Sequence, residues 1–469
     1  MLYSTPLPYQ ADASTYFAAI RDLPWAAWLD SGGSGRYDIL VARPVVTLST
    51  RGERTEIRDG SEMRVAVGDP FGLLREQLGV PIKPEVDIPF AGGALGFWSY
   101  DFGRNYHPIG DVVHDESQIP DMAIGIYDWS ILIDHHERCA RLVSRQRYLE
   151  TEKVLPQILA RLSAIQLSTS EEKAFNVHGT ITSSLTYMAY RKAYDAVMHY
   201  LRAGDCYQVN LAQRFSASAS GDAYAAYLEL RRLSSAPYSA FLDWPQAQIL
   251  CASPEQFLRV QQGRVQTKPI KGTRARNIDE MEDARSAEEL HQHPKDRAEN
   301  LMIVDLLRND ISKNCELGSV CTPKLFEVES FANVHHLVST VEGRLAQGRD
   351  ALDVLRDCFP GGSITGAPKR RAMEIIDQLE MHRRGLYCGA IGYIGFDRNM
   401  DTNIAIRTLI YAQDEIHCWA GGGIVADSQC EAEYQETLDK AAAMLAVLRK
   451  FGGEIEPSGE ISGRNILDP

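Results

Sequence analysis

Two groups of acidic residues have a spacing that could bind a divalent cation. Asp296 and Glu299 are three positions apart in a helical pattern, so both carboxylates lie on one helix face. Glu433, Glu436 and Lys440 share one face of the last helical segment in the same way. If the two helices face each other, their carboxylates could hold Mg²⁺, which needs only one or two protein carboxylates together with substrate oxygens. The alternative is that each group is a solvated acidic helix face.

A lysine in the middle of the chain could act as a nucleophile. Lys271 stands in TKPIKGT, directly after a predicted hairpin strand, where its side chain can project into a cleft. An amine is nucleophilic only when it is neutral, which desolvation or neighbouring cations such as Arg274 and Arg276 would favour. The alternative is an ordinary solvated surface lysine.

Of two glycine-rich segments, one could bind an anion and the other does not fit the phosphate-binding loop that it resembles. Gly421–Gly423 is a predicted turn before the last helix, where exposed backbone N–H groups could bind an anion such as a carboxylate; a tight turn with positive φ is the alternative. The segment GGSITGAPK at 361–369 resembles a phosphate-binding loop, but Ala367 and Pro368 separate its last glycine from Lys369. Nucleotide binding is therefore disfavoured, and Pro368 fits the first turn of a helix.

The histidines do not form a zinc-binding pattern. His335 and His336 would point to opposite faces of a strand, while His291 and His293 lie in a polar segment. Neither pair has a Cys or a carboxylate at the spacing of a zinc site, so structural or surface roles are favoured. His336 could still bind substrate or take part in catalysis.

The composition indicates a soluble cytoplasmic protein. The 469 residues include 49 Lys and Arg against 63 Asp and Glu, a formal charge of −14, which argues against non-specific binding to nucleic acid or anionic lipid. A local basic pocket for an acidic small molecule remains compatible with this balance. The sequence starts without a secretory signal, and it contains no apolar run of the roughly 18 residues that a membrane span requires. Nine scattered cysteines without a CxxC pair indicate reduced thiols.

Hydrophobic periodicity predicts an α+β fold with a large β-sandwich and helices packed outside it. The Ser- and Thr-rich segment 166–185 is the predicted linker between an N-terminal region (1–165) and a catalytic region (186–450), with a C-terminal tail at 451–469. Helices are predicted over 187–203, 295–312, 369–380 and 431–449. Strands are predicted over 37–41, 45–48, 124–133, 141–144, 257–260, 264–267, 389–396 and 403–411.

A set of segments in order resembles the chorismate-using enzyme family. The segments are GDCYQVNLAQRF, SPEQFL, PIKGTRAR, DRAENLMIVDLLRNDI, VHHLVST, FPGGSITGAPK, CGAIGY and AGGGIVADSQCEAEYQETLDK. The resemblance runs from about Leu23 to Leu448 and implies the fold of anthranilate synthase component I. Within the family, PIKGT with its lysine is typical of the branch that makes 4-amino-4-deoxychorismate, whereas anthranilate synthases carry alanine at the position of Lys271.

The resemblance implies an enzyme that replaces the C4 hydroxyl of chorismate with ammonia, on the route to 4-aminobenzoate and folate. Lys271 is the implied nucleophile at C2 of chorismate. Glu255 is the implied general acid for the departing hydroxyl, a task that requires a raised carboxyl pKa. Gln208 stands where isochorismate-forming relatives keep a lysine that activates water, which favours ammonia as the incoming nucleophile.

The resemblance also implies ligand-binding residues. Glu299 and Glu436 are the implied Mg²⁺ ligands, supported by Asp296 and Glu433. The implied substrate-binding residues are Thr273, His336, Tyr387, Arg407, Gly421, Gly422, Gly423 and Lys440. Trp28–Ser31 matches the LLxS element of the family's tryptophan pocket, with Ser31, Tyr37 and Pro237 as its implied contacts. Ser363 stands where anthranilate synthases usually have threonine.

The ammonia is expected to come from another chain. No cysteine of the sequence stands in the GxCxG elbow of class I glutaminases, so a separate glutamine amidotransferase subunit, and hence a heterodimer, is implied. Two alternatives remain open. One is anthranilate synthase component I, against which Lys271 argues. The other is a non-catalytic regulatory subunit that binds chorismate or tryptophan, against which the intact Glu255, Lys271, Glu299 and Glu436 argue.

Overall fold

The computed structural model describes residues 2–110, 119–164, 174–331 and 334–455. In chain order its strands are β1 (Tyr3–Leu7), β2 (Ala26–Asp30), β3 (Tyr37–Val41), β4 (Val46–Arg51), β5 (Arg54–Asp59), β6 (Glu62–Val67), β7 (Gly93–Trp98), β8 (Met122–Tyr127), β9 (Trp129–Asp134), β10 (Cys139–Ser144), β11 (Phe175–Ser183), β12 (Gln208–Gly221), β13 (Tyr238–Trp244), β14 (Ala247–Ser253), β15 (Gln256–Gln261), β16 (Arg264–Lys268), β17 (Ile270–Ala275), β18 (Cys321–Ser330), β19 (Val334–Arg344), β20 (Gly366–Ala367), β21 (Ala390–Gly395), β22 (Met400–Asn403), β23 (Thr408–Ala412), β24 (Glu415–Ile424) and β25 (Glu454–Ile455). The α-helices are α1 (Ser14–Ala18), α2 (Pro70–Leu78), α3 (Leu149–Ser163), α4 (Tyr187–Ala203), α5 (Tyr224–Leu233), α6 (Glu280–Gln292), α7 (Pro294–Ser312), α8 (Ala351–Cys358), α9 (Lys369–Leu379) and α10 (Cys430–Lys450).

The strands form two large sheets. The first has 13 strands in the order β1-β10-β9-β3-β2-β13-β14-β23-β24-β12-β11-β25, with β20 paired to β12. The second has 12 strands in the order β17-β19-β16-β15-β22-β21-β7-β8-β4-β5-β6, with β18 paired to β19. Apart from the short parallel pair β11 and β25, the strand pairs of the described residues are antiparallel.

The sheets form a sandwich because their central strands are apolar on both faces. In β2, Ala27 packs in the core between the two sheets, while Trp28 packs in the core under α1, α3, α5 and α10. Alternation along a strand places successive side chains on opposite faces, so a strand buried on both sides is a nearly continuous apolar run. The predicted α+β sandwich with helices outside is therefore confirmed.

Several predicted elements are confirmed with their ends. The predicted helix over 187–203 is α4, which ends at Gly204 with φ 79°. The helix predicted to follow Pro294 is α7, with Pro294 in its first turn. β15 and β16 form the predicted hairpin around Gly263, and β9 pairs with β10 across 135–138.

Two long predicted strands are each divided. The segment 124–133 contains the end of β8 and most of β9, which belong to different sheets. Between them the Asp128 carboxylate accepts hydrogen bonds from the Tyr148 N–H (3.1 Å) and the Thr151 hydroxyl (2.7 Å), which fixes the crossing. The segment 403–411 is interrupted between β22 and β23, where Arg407 has φ 50°. Apolar composition could not show these breaks, because both halves of each segment are buried.

The prediction of a turn at Gly421–Gly423 was wrong. These glycines belong to β24 and pair with Ala212, Leu211 and Asn210 of β12. The chain leaves the sheet only after Ile424.

The predicted linker contains a strand. Residues 166–173 lie outside the described residues, whereas Phe175–Ser183 forms β11. Its apolar residues Phe175, Val177 and Ile181 are buried and its polar residues are mostly exposed, so the Ser- and Thr-rich composition reflects one solvated face. Both sheets contain strands from either side of this segment, and the boundaries of the two regions stay a prediction. None of the described helices has the length and hydropathy of a membrane span.

Candidate active site

A cavity of about 720 Å³ lies beside the glycine-rich end of β24, within the size range of sites for small molecules. Most of the residues predicted to act on substrate or metal line it: Glu255, Lys271, Thr273, Asp296, Glu299, His336, Tyr387, Arg407, Gly421, Gly423, Glu433, Glu436 and Lys440. Gly422 lies in the same strand beside the carboxylates of α10, and Gln208 is buried with its amide beside Gly423. One cavity thus collects side chains from elements far apart in the sequence.

Lys271 reaches the cavity from an irregular part of β17. The pairing of β17 with β19 shifts by one residue between Lys271 and Thr273, and Gly272 at this bulge has φ 74°. A Cβ at Gly272 would lie 2.9 Å from Cγ of Asp296, so only glycine allows α7 to pack this closely. The Lys271 ammonium donates to the carbonyl oxygen of Ser363 at 3.4 Å.

Glu255 lies opposite Lys271 in the cavity, in the short connection between the end of β14 and the start of β15. Its carboxyl group is buried, and Oε1 accepts a hydrogen bond of 2.8 Å from the Ser363 hydroxyl. Burial raises the pKa of Glu255, although the Lys271 cation and the Ser363 hydroxyl act in the opposite direction. A carboxyl group that keeps its proton to a higher pH is suited to general acid catalysis.

The two acidic helices face the same cavity. Lys295 of α7 lies 3.8 Å from Oε1 of Glu299 and 4.0 Å from Oε1 of Glu433 on α10. Burial raises the pKa of Glu299 and of Glu433. Burial also acts to raise the pKa of Glu436, but the Lys440 ammonium, 2.5 Å away, outweighs it, and the pKa lies below its usual value.

The donor set of this carboxylate group fits Mg²⁺ as part of a shared site. Among the described residues, no three His, Cys, Asp or Glu side chains are close enough to hold a metal ion by themselves. Mg²⁺ needs only one or two protein carboxylates when substrate oxygens and water supply the remaining ligands. A Cβ at Gly422 would lie 3.0 Å from Oε2 of Glu433 and 3.3 Å from Oε1 of Glu436, so this glycine leaves room for both groups beside β24. Glu299 and Glu436, from two helices, therefore fit a metal that also binds an anionic substrate.

Arg407 contributes a positive charge to the cavity and has no direct carboxylate partner among the described residues, although Glu255 attracts it. It lies in the interruption between β22 and β23 with φ 50° and lines the cavity beside Glu255. Burial lowers its pKa, and within the described ranges its guanidinium has neither a hydrogen bond nor an ion pair. Lys440 donates to the carbonyl oxygen of Gly421 at 3.0 Å while it pairs with Glu436. A partly buried arginine without a carboxylate partner is suited to bind a substrate carboxylate.

The remaining predicted substrate contacts form an aromatic and polar wall. The rings of Tyr387 and Trp419 are stacked, with centroids 5.9 Å apart and planes 10° from parallel. His336 Nδ1 and the Thr273 hydroxyl are hydrogen-bonded at 2.9 Å. Burial and the Arg407 cation lower the pKa of His336 to about 4, so its imidazole is neutral near pH 7.

Comparisons with known proteins show to which family the chain belongs. The sequence profile of the chorismate binding enzymes matches residues 26–446. The chain belongs to the chorismate-binding enzyme family. It is 46% identical over 454 residues to "Aminodeoxychorismate synthase component 1" of Escherichia coli, which covers 94% of this chain and 97% of that protein. It is 39% identical to "Anthranilate synthase component 1" of Thermus thermophilus, over 81% of this chain and 83% of that protein.

A solved structure of a family member has the same fold. The anthranilate synthase component I of Streptococcus pneumoniae superimposes with a TM-score of 0.79 at 33% identity, covering 88% of this chain and 92% of that chain. The fold predicted from the resemblance to the chorismate-binding enzyme family is thereby confirmed.

Several residues that line the cavity of the present protein were not predicted from the sequence, among them Asn210, Lys295 and Trp419. Trp419 had a usable signal. Every second residue of a strand lies on the same face, and Trp419, Gly421 and Gly423 are two positions apart in β24. Predicting a strand here instead of a turn would therefore have placed Trp419 on the same face as the two glycines. Asn210 had no such signal, because only the pairing of β12 with β24 brings it to the cavity.

A second cavity, of about 400 Å³, contains the residues that the family resemblance assigns to tryptophan. Ser31, Tyr37 and Pro237 all line it, together with Asp30 and Arg259. The buried Asp30 carboxylate accepts hydrogen bonds from the Tyr227 hydroxyl (2.7 Å) and the Arg231 guanidinium (2.6 Å). Tryptophan binding in this cavity stays a prediction.

The hydrogen bond from the Ser363 hydroxyl lowers the pKa of Glu255, so removing it should change how activity depends on pH. A hydrogen bond to the ionised carboxylate lowers its pKa, so Ser363→Ala should raise the pKa of Glu255 further. If Glu255 is the general acid, as the family resemblance implies, it works only while it is protonated, and activity should fall as the pH rises through this pKa. In Ser363→Ala this fall should therefore move to higher pH, measured as kcat/KM for chorismate consumption against pH.

Ser363→Thr is the matched control, because it keeps the hydroxyl and should keep the wild-type profile. An alkaline fall that stays in place or moves to lower pH in Ser363→Ala would contradict the role of Ser363.

Proposed function

We propose that this protein converts chorismate and ammonia into 4-amino-4-deoxychorismate and water, through a covalent intermediate on Lys271. The observation that carries the proposal is the connected set of Lys271, Ser363 and Glu255 in one cavity. The Ser363 carbonyl oxygen accepts from the Lys271 ammonium, and the Ser363 hydroxyl donates to Glu255. Support comes from the 46% identity to relatives named aminodeoxychorismate synthase component 1.

The charges of the cavity suit a dianionic substrate such as chorismate. Arg407 and Lys440 would bind its carboxylates, since Arg407 has no carboxylate partner within the described ranges and Lys440 is half exposed. The small residues Gly421 and Gly423 leave space against β24, and the stacked Tyr387 and Trp419 rings provide a flat apolar wall for the substrate ring.

In the first step, the Lys271 ammonium loses one proton to solvent, and the neutral amine forms a bond to C2 of chorismate. The ring double bond shifts, the C4–O bond breaks, and Glu255 gives its proton to the departing hydroxyl, which leaves as water. In the second step ammonia forms a bond to C4, the double bond shifts back, and the C2–N bond to Lys271 breaks. The proton lost from the ammonia nitrogen restores Glu255, so the sum is chorismate and ammonia to 4-amino-4-deoxychorismate and water.

The proposed cofactor is Mg²⁺, with Glu299 and Glu436 as the residues that would hold it and Asp296 and Glu433 in support. When bound, the ion would neutralise the ring carboxylate of chorismate. Lys295 already contributes a positive charge between Glu299 and Glu433. The carboxylates of both helices line the cavity in which the anionic substrate would bind.

The proposed ammonia source is a separate glutamine amidotransferase subunit. The relatives that match this chain carry "component 1" in their names, which indicates a second component in those enzymes. With its partner, the protein would transfer glutamine-derived ammonia to chorismate. Its location in the cytoplasm stays a prediction.

Replacing Lys271 tests the proposed chemistry. With chorismate, Mg²⁺ and an ammonium salt, the wild type should release 4-amino-4-deoxychorismate. Lys271→Ala should lose about a hundredfold or more in that rate, since the covalent route is closed. Lys268→Ala, which removes a lysine at the end of the preceding strand β16 that pairs with Glu329, should keep the wild-type rate. The products are identified by mass spectrometry.

The product of the wild type decides between the two enzyme classes. Anthranilate, which is aromatic and has lost pyruvate, would overturn the proposed product and leave the family unchanged. Absence of turnover with Mg²⁺, chorismate and ammonia would favour a regulatory subunit.

Replacing one carboxylate tests the proposed metal site without an activity assay. Glu299→Gln should weaken Mg²⁺ binding in the presence of chorismate by more than about tenfold, because even outer partners of metal ligands contribute that much. Asp305→Asn changes an exposed carboxylate of the same helix and should bind Mg²⁺ as the wild type does. Isothermal titration calorimetry gives both affinities, and equal affinities would refute the assignment of Glu299.

A further inference from the structure

A fully buried ion pair lies directly behind the cavity, in the segment that follows α9. The Arg384 Nε and Nη2 atoms donate to the two carboxylate oxygens of Glu380 at 2.9 and 2.7 Å. The side chains of both residues are 2% exposed or less, and neither residue lines the cavity. Burial raises the pKa of Glu380, while the adjacent Arg384 cation and its hydrogen bonds favour the ionised carboxylate.

The remaining donors of Arg384 bind two backbone segments of the cavity wall. Nη1 donates to the carbonyl oxygen of Ile364 at 3.1 Å. Nη2 donates to the carbonyl oxygen of Asn210 at 2.8 Å and lies 3.3 Å from its side-chain Oδ1. The guanidinium carbon Cζ also lies over the rings of Tyr100 and Tyr387, 4.8 and 5.5 Å from their centroids. Asn210, Ile364 and Tyr387 all line the cavity.

The contact with Ile364 leads directly to the reacting groups. Ile364 follows Ser363 in the short 3₁₀ turn Gly362–Ile364. Ser363 is the residue whose hydroxyl binds Glu255 and whose carbonyl oxygen binds Lys271. Fixing the Ile364 carbonyl therefore fixes the turn that sets the position of Glu255 relative to Lys271.

Glu380 secures the second backbone segment. Its Oε1 accepts a hydrogen bond of 3.0 Å from the N–H of Ala212, two residues after Asn210 in β12. β12 pairs with β24, where Asn210 lies opposite Gly423 and Ala212 lies opposite Gly421. The ion pair thus connects the turn at Ser363, the ring of Tyr387 and the glycine-bearing part of the first sheet.

Packing alone does not explain a charged pair at this place. A buried ion pair pays a desolvation cost that its attraction often fails to exceed, and apolar residues of similar size can replace such pairs without loss of stability. The planar fork of arginine, in contrast, can hold several acceptors in fixed directions at once. The number and direction of the acceptors around Arg384 match that property.

We propose that Arg384, oriented by Glu380, is a positioning residue that holds the Ser363 turn so that Glu255 and Lys271 are aligned for reaction. This proposal rests on the proposed function, because it takes Glu255 and Lys271 as the reacting groups. Arg384 itself touches neither the substrate space nor these two side chains.

The test removes both charges together, so that no unpaired charge stays buried. In Arg384→Met/Glu380→Gln, the methionine fills the space of the arginine stem and the glutamine can still accept from Ala212. We expect kcat for chorismate consumption to fall about tenfold or more while KM stays within about threefold, because Arg407 and Lys440 are unchanged. Arg384→Lys keeps the charge without the fork and should not restore kcat.

The matched control is Arg104→Met/Asp101→Asn/Asp377→Asn, which removes Arg104 of the 3₁₀ turn Tyr100–Asn105 together with both of its carboxylate partners. The asparagine at 101 can still accept from the N–H of Gly385, and none of the three residues lines the cavity, so this variant should change the melting temperature and leave kcat unchanged. A wild-type kcat in Arg384→Met/Glu380→Gln, full rescue of kcat by Arg384→Lys, or an equal loss of kcat in the control would overturn the proposal. The assay follows the consumption of chorismate and does not depend on which product forms. A wild-type product other than 4-amino-4-deoxychorismate would therefore refute the proposed function without changing the ratio of each variant's kcat to that of the wild type.

Discussion

The close approach of α10 to the glycine-rich end of β24 positions Glu433, Glu436 and Lys440 in the cavity. A Cβ at Gly422 would lie 3.0 Å from Oε2 of Glu433 and 3.3 Å from Oε1 of Glu436, so a side chain there would have to displace these carboxylates. Lys440 of the same helix donates to the carbonyl oxygen of Gly421. β24 in turn pairs with β12 along ten successive residue pairs, and the Glu380–Arg384 pair binds β12 from behind. The carboxylates of α10, Lys440 and the Glu380–Arg384 pair therefore all contact one strand pair, β12 and β24.

The cavity concentrates charge of both signs inside an acidic protein. Lys271, Lys295, Arg407 and Lys440 face the carboxylates of α7 and α10 and the buried Glu255. Burial raises the pKa of Glu255, Glu299 and Glu433, so the folded protein disfavours their ionised forms unless a cation is near. A dianionic substrate would neutralise the positive charges of the cavity, and a divalent cation would neutralise its carboxylates. Each ligand would also attract the other, which gives a physical reason for binding them together.

Local patterns predicted much of the fold and most of the site. Helices such as α4 and α7 were predictable because glycine, proline and apolar periodicity mark their ends in the sequence. The candidate residues came largely from the motifs shared with the chorismate-binding enzyme family, since spacing alone could not show that α7 and α10 face one cavity. The strand character of Gly421–Gly423 and the roles of Asn210 and Arg384 depend on pairing between distant segments, which leaves no local pattern.

The most direct test of the account is whether Lys271 becomes covalently attached to the substrate. The protein is mixed with chorismate and Mg²⁺ in the absence of ammonia, quenched rapidly, and analysed by intact-protein mass spectrometry with peptide mapping. We expect an adduct with the mass of chorismate less one water, located on Lys271. It should be absent from Lys271→Ala and should be released when ammonium is added before quenching. Formation of 4-amino-4-deoxychorismate by a wild type that never carries this adduct, or an adduct on another residue, would contradict it.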